Sequence, residues 1–142
     1  MLNHASVLVA EDQPFIALDL ALAVEDAGGK VVGPAASCEE ALALLANGTV
    51  AAAILDVNLV DGDSSPLIEA LVSLDVPFIV QTAVDLPPAL AARFSDLIVR
   101  IKPCPAASLV AQLEILLAEH GHAVGGAAPA SRHLGTIESV EE

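Results

Sequence analysis

Ala51-Ala52-Ala53-Ile54-Leu55-Asp56 is five apolar residues in a row closed by one carboxylate, and its reading decides the fold. A half-solvated strand alternates apolar and polar residues, whereas a short unbroken apolar run marks a strand covered on both faces, as in a parallel sheet between helices. Three more runs end on polar groups in the same way. Val7-Leu8-Val9-Ala10 leads into Glu11-Asp12, Phe78-Ile79-Val80-Gln81 into Thr82, and Leu97-Ile98-Val99-Arg100-Ile101 into Lys102. Ligands of an open parallel sheet bind in the crevice outside the carboxyl ends of its strands. Three carboxylates, a hydroxyl and an ammonium therefore converge there from distant parts of the chain.

Outward from these runs, strand-like and helix-like segments alternate from about residue 5 to about residue 119. Strands are expected at Ser6–Ala10, Val31–Val32, Ala51–Leu55, Phe78–Gln81 and Leu97–Ile101. Helices are expected at Pro14–Ala27, Cys38–Ala46, Ser65–Ser73, Pro88–Phe94 and Pro105–His120. Ser37 with Glu40 three residues on makes a capping box. Pro105 suits a first helical turn, where its missing N–H is not needed. Gly28-Gly29 and Gly121 supply stops after the first and last helices. Leu109, Leu113 and Leu116 fall on one helical face. The segment at Pro88–Phe94 is short and follows Leu86-Pro87-Pro88, which disfavours helix ahead of each proline. Five such units imply an α/β fold with right-handed crossovers and helices on both faces of a doubly wound parallel sheet. After Gly121 the apolar periodicity fades. The expected division is one domain over 1–120 and a flexible tail over 121–142.

A chain of 142 residues that is 55% hydrophobic has room for one domain with its own core. Its apolar runs fall far short of the ~18 residues of a membrane span, and its N-terminus lacks the basic region of a secretory signal. Cys38 and Cys104 have no metal-ligand spacing, which fits a reducing compartment. The expected location is the cytoplasm. Nineteen Asp and Glu against five Lys and Arg give a net charge of −14. Such a surface repels phosphate backbones and anionic lipid, so neither nucleic acid nor membrane is an expected partner. Proteins and small ions remain.

The crevice suits Mg²⁺, a hard ion that takes oxygen ligands and keeps several waters. Asp12 and Asp56 each offer a carboxylate oxygen, Glu11 one through a water, and Asn58 its backbone carbonyl. A carboxylate is also a nucleophile towards phosphorus, forming an acyl phosphate. Charge on the phosphoryl oxygens then calls for a metal, an ammonium and a hydroxyl nearby, the last two supplied by Lys102 and Thr82.

Taken together, Glu11-Asp12, Asp56, Thr82-Ala83 and Lys102-Pro103 resemble the receiver domain of bacterial two-component response regulators, over roughly residues 5–120. The resemblance implies a flavodoxin-like fold with strand order 2-1-3-4-5. It also implies Mg²⁺-dependent phosphotransfer to Asp56 from a sensor histidine kinase or histidine phosphotransfer protein, with Thr82 and Lys102 contacting the phosphoryl oxygens. Such a chain is a signalling protein rather than an enzyme, and it acts on a downstream protein target or drains phosphate from a kinase. Two features depart from the common pattern. Val60 stands where most receivers have a proline, and Val99 where an aromatic switch residue is usual. Pro77, Phe78 and Thr82 match a Pro-Phe-x-Phe-Ala-Thr-Gly subfamily of single-domain receivers, whereas Val80, Gln81, Ala83 and, further on, Cys104 do not. Two alternatives share the carboxylates: a receiver-fold binding module that is never phosphorylated, and a haloacid-dehalogenase-type phosphatase. The latter needs a second Asp where this chain has Asn58. A calcium-loop reading of Asp56–Asp63 fails at Val60 and Leu67.

Overall fold

A computed structural model of the chain describes residues 1–83, 88–94 and 97–126. In chain order the elements are β1 (Ser6–Ala10), α1 (Pro14–Asp26), β2 (Lys30–Ala35), α2 (Cys38–Asn47) and β3 (Ala52–Asp56). Two-residue strands β4 (Asn58–Leu59) and β5 (Gly62–Asp63) follow, then α3 (Ser65–Ser73) and β6 (Phe78–Thr82). α4 (Pro88–Arg93), β7 (Val99–Ile101) and α5 (Ala106–Gly126) complete them. The main sheet is wholly parallel in the order β2-β1-β3-β6-β7, while β4 and β5 pair antiparallel with each other. Counted among the five long strands, that order is the expected 2-1-3-4-5. The fold is the flavodoxin-like α/β sandwich.

Side chains of period two point to alternate faces of the sheet. Val7, Val9, Ala52, Ile54 and Ile79 accordingly meet Leu20 and Val24 of α1 and Leu109, Leu113 and Leu116 of α5. Leu8, Ala10, Ala53, Leu55 and Val80 pack on the other side with Ala41 and Leu45 of α2 and Leu67, Ile68 and Leu71 of α3. Every residue of β3 is buried, which is why its sequence shows no polar alternation. Fully burying one such Ile or Leu is worth about 1.5–3 kcal/mol, so the two-sided covering dominates the stability of the site's platform.

Local chemistry shapes the connections. After α1, Gly28 takes φ +88°, its N–H donates to the Glu25 carbonyl (3.0 Å) and that of Gly29 to the Val24 carbonyl (2.9 Å). That is a Schellman ending. A Cβ on Gly29 would stand 2.6 Å from the end of the Leu2 side chain and 3.0 Å from that of Val24, so a larger residue there would force those side chains to shift. Ser37 Oγ accepts from the Glu40 N–H at 3.0 Å, while Glu40 Oε1 accepts from the N–H of Ala36, one residue before the cap. The capping box is thus opened by one residue on its return bond.

Several boundaries differ from the sequence expectation. β2 extends to Lys30–Ala35 because it pairs along β1, and as an edge strand it accommodates Pro34. β7 is shorter, although the Val80 N–H still reaches the Ile98 carbonyl at 2.9 Å. α5 passes through Gly121 to Gly126, since a glycine ends a helix only where it leaves helical geometry. Of the expected tail, 127–142 lies outside the described residues.

Candidate functional site

Backbone pairing carries each functional residue to the carboxyl edge of the sheet. The Glu11 N–H donates to the Ala35 carbonyl (2.8 Å), prolonging the β1–β2 ladder by one rung. The Val57 N–H donates to Gln81 (3.1 Å) and the Lys102 N–H to Thr82 (2.7 Å), which extends the β3–β6 and β6–β7 pairings likewise. Asp56 lies opposite Gln81 in register, and Thr82 opposite Ile101. Side chains from four strand ends therefore share one edge.

Lys102 is the hub of the ionic contacts. Its Nζ lies 2.8 Å from Asp56 Oδ2 and 3.1 Å from Glu11 Oε1. Glu11 Oε1 also accepts from Gln81 Nε2 at 2.9 Å, and Glu11 Oε2 from the Gln13 N–H at 3.1 Å. Oxygens of Glu11, Asp12 and Asp56 all come within 4.8 Å of one another. Glu11 and Asp56 are buried and Asp12 is half-buried. Thr82 is buried at the end of β6. Asn58 is exposed on β4, with its N–H 3.4 Å from Asp56 Oδ1.

Burial pushes the Glu11 carboxyl up from its ordinary value, and the Asp56 charge adds to the push against the opposing Gln13 N–H and Lys102. Burial would lower Lys102, but its hydrogen bonds and ion pairs with Asp56 and Glu11 outweigh that and hold the ammonium above its ordinary range. Three carboxylates against one ammonium leave surplus negative charge on hard oxygen donors. The Glu11, Asp12 and Asp56 oxygens are together a donor set that could hold a metal ion.

The loop after Asp56 is tied down from both sides. Asp61 Oδ1 and Oδ2 accept from the N–H groups of Cys38 (2.8 Å) and Glu39 (3.1 Å) at the start of α2. The Val60 N–H donates to the Ala36 carbonyl at 3.0 Å, and Asp63 Oδ1 accepts from the Ser65 N–H at 3.0 Å. Sequence reasoning missed Gln81 and Asp61 as parts of this edge. The available signal for Gln81 was a polar side chain inside a buried run, which requires a partner.

No family model matches the chain, and no curated protein matches it by sequence. Solved structures do. SdrG from Sphingomonas melonis Fr1 is 35% identical over 83% of this chain and 99% of its own, with a TM-score of 0.66. The BeF3-activated conformation of SdrG from Pseudomonas melonis Fr1 is 36% identical over 82% and 99%, with a TM-score of 0.64. The response regulator PhyR from Brucella abortus is 27% identical over 82% of this chain and 52% of its own, with a TM-score of 0.57. A CheY-like receiver domain protein from Methanospirillum hungatei JF-1 shares the fold at a TM-score of 0.72, with 22% identity over 83% and 97%. The chain belongs to the response-regulator receiver domains, the CheY-like family.

Proposed function

We propose that this receiver domain accepts a phosphoryl group on Asp56 in a Mg²⁺-dependent reaction with a sensor histidine kinase or histidine phosphotransfer protein. The observation that carries the reading is the Lys102 ammonium 2.8 Å from Asp56 Oδ2, within a set of three carboxylates at the sheet edge. An oxygen of Asp56 attacks phosphorus, the new O–P bond forms as the P–N bond of phosphohistidine breaks, and the imidazole leaves and is reprotonated. Lys102 offsets charge on the phosphoryl oxygens, and the Thr82 hydroxyl is the candidate donor to one of them. Mg²⁺ held by Asp12 and Asp56, with Glu11 beside it, would supply further positive charge at those oxygens. Burial limits competing water.

The BeF3-activated state of the relative SdrG supports this reading, because trifluoroberyllate has the shape and charge of a phosphoryl group. The product then acts through contacts with a downstream protein, or the domain drains phosphate from its kinase. It turns over no substrate of its own beyond loss of its phosphoryl group, and the cytoplasm is its working compartment. Among the described residues no helix is long and apolar enough to cross a membrane.

The test is intact-mass spectrometry after incubation with a small acyl phosphate and Mg²⁺. Wild type should gain one phosphoryl mass and Asp56→Asn none. Equal labelling of the two would overturn the site. No gain in wild type would favour the binding-module reading, and sustained phosphate release from an added phosphoester would favour the phosphatase.

A further inference from the structure

Glu11 is 2% exposed and Gln81 1%, so whatever holds the Glu11 carboxylate is protein rather than bulk water. An ionised carboxylate offers about four lone-pair sites, two on each oxygen. Gln81 Nε2 occupies one on Oε1 (2.9 Å) and the Gln13 N–H one on Oε2 (3.1 Å). Lys102 Nζ approaches both remaining sites, at 3.1 Å from Oε1 and 3.4 Å from Oε2. The same ammonium lies 2.8 Å from Asp56. Two donors thus grip the carboxylate from the protein side, and its other sites face the ammonium shared with Asp56. The Gln13 donor is a backbone group and cannot be varied by sequence. The Gln81 amide is a choice of side chain, set opposite Asp56 by the β3–β6 register.

We infer that Gln81 is a positioning residue for cation binding: its amide fixes the Glu11 carboxylate so that the lone pairs facing Lys102 stay turned into the crevice, beside Asp12 and Asp56. This rests on the metal-dependent reading above and adds to it a residue outside the acidic set. Without the amide, a buried carboxylate pivots about Lys102 and Gln13, and its oxygens no longer stay fixed near those of its neighbours. Partners that orient metal-binding groups in this way typically carry 10–100-fold in metal affinity. Gln81 is placed two strands away from Glu11 in the sheet order, so it orients that carboxylate without being a ligand.

Isothermal titration of the full chain with Mg²⁺ alone, well below each variant's melting temperature, tests the inference. Gln81→Met keeps length and loses the donor, and should weaken Mg²⁺ about tenfold. Gln81→His restores a ring N–H and should return to within about threefold of wild type, by the same positioning logic. Met binding as tightly as wild type, or more tightly, overturns the inference. So does His binding as weakly as Met, which marks a packing role. Should the Met variant fail to fold, the His variant decides alone on the same threshold. Failure of wild type itself to bind would overturn the inference and the metal-dependent reading together, whereas equal binding by wild type and Met overturns the inference only.

Discussion

Asp61 illustrates how much one carboxylate does here. It is exposed, yet both its oxygens accept backbone N–H groups at the positive end of α2. The Cys38 and Glu39 N–H groups hold its carboxyl below the ordinary value. A carboxylate with a depressed folded pKa contributes stability above its unfolded pKa of about 3.9, and loses it as pH falls through the folded value. The melting temperature of wild type should therefore exceed that of Asp61→Asn by a constant margin from neutral pH down to about pH 4, and the margin should close below that. A margin that persists undiminished at the lowest pH would show that the charge is irrelevant. Val60 beside it explains a departure from the family pattern. Its N–H is spent on the Ala36 carbonyl at 3.0 Å, a bond that proline cannot make.

At the scale of elements, two serines in equivalent places should behave oppositely. Ser37 caps α2 through its hydroxyl, and Ser37→Ala should cost about 1 kcal/mol. Ser64 precedes α3, makes no cap bond, and its buried Oγ has no partner among the described residues. A buried hydroxyl without a partner costs roughly 1–3 kcal/mol, so Ser64→Ala should be neutral or stabilising. Urea unfolding followed by circular dichroism measures both, since the chain has no Trp or Tyr to report by fluorescence. Equal losses in the two variants would refute the distinction. Helix C-terminal ends also differ in kind: α1 ends on the left-handed Gly28, whereas after α3 Asp75 takes φ +60°. Asp tolerates that conformation better than most residues with a Cβ.

For the whole molecule, the sheet edge gathers the Glu11, Asp12 and Asp56 carboxylates against the Lys102 ammonium, so negative charge is in surplus there. Mg²⁺ that binds only the native state should raise the melting temperature, by the equivalent of about 2.7 kcal/mol at a hundred times its Kd. Asp12→Asn should lose most of that rise. An unchanged transition in wild type across a millimolar Mg²⁺ titration, read by differential scanning calorimetry, would contradict the metal reading. The acidic surface as a whole, at −14, keeps the same sign outside the crevice, so added salt at fixed Mg²⁺ should weaken the apparent metal affinity by screening.

Local pattern was enough to place the buried strands and the polar residues that close them, because burial on two faces leaves an unbroken apolar run and its end is visible in the chain. The strand order was legible only through the family resemblance, since no run states its own neighbour. Tertiary structure alone decided the β4–β5 ladder, the extent of β2, the passage of α5 through Gly121 and the Asp61 cap. It alone joined Gln81 to Glu11. The reason is sequence separation: the Asp61–Cys38 bond spans 23 residues and the Gln81–Glu11 bond 70. Contacts that distant depend on strand register and packing, which periodicity within any one segment does not encode.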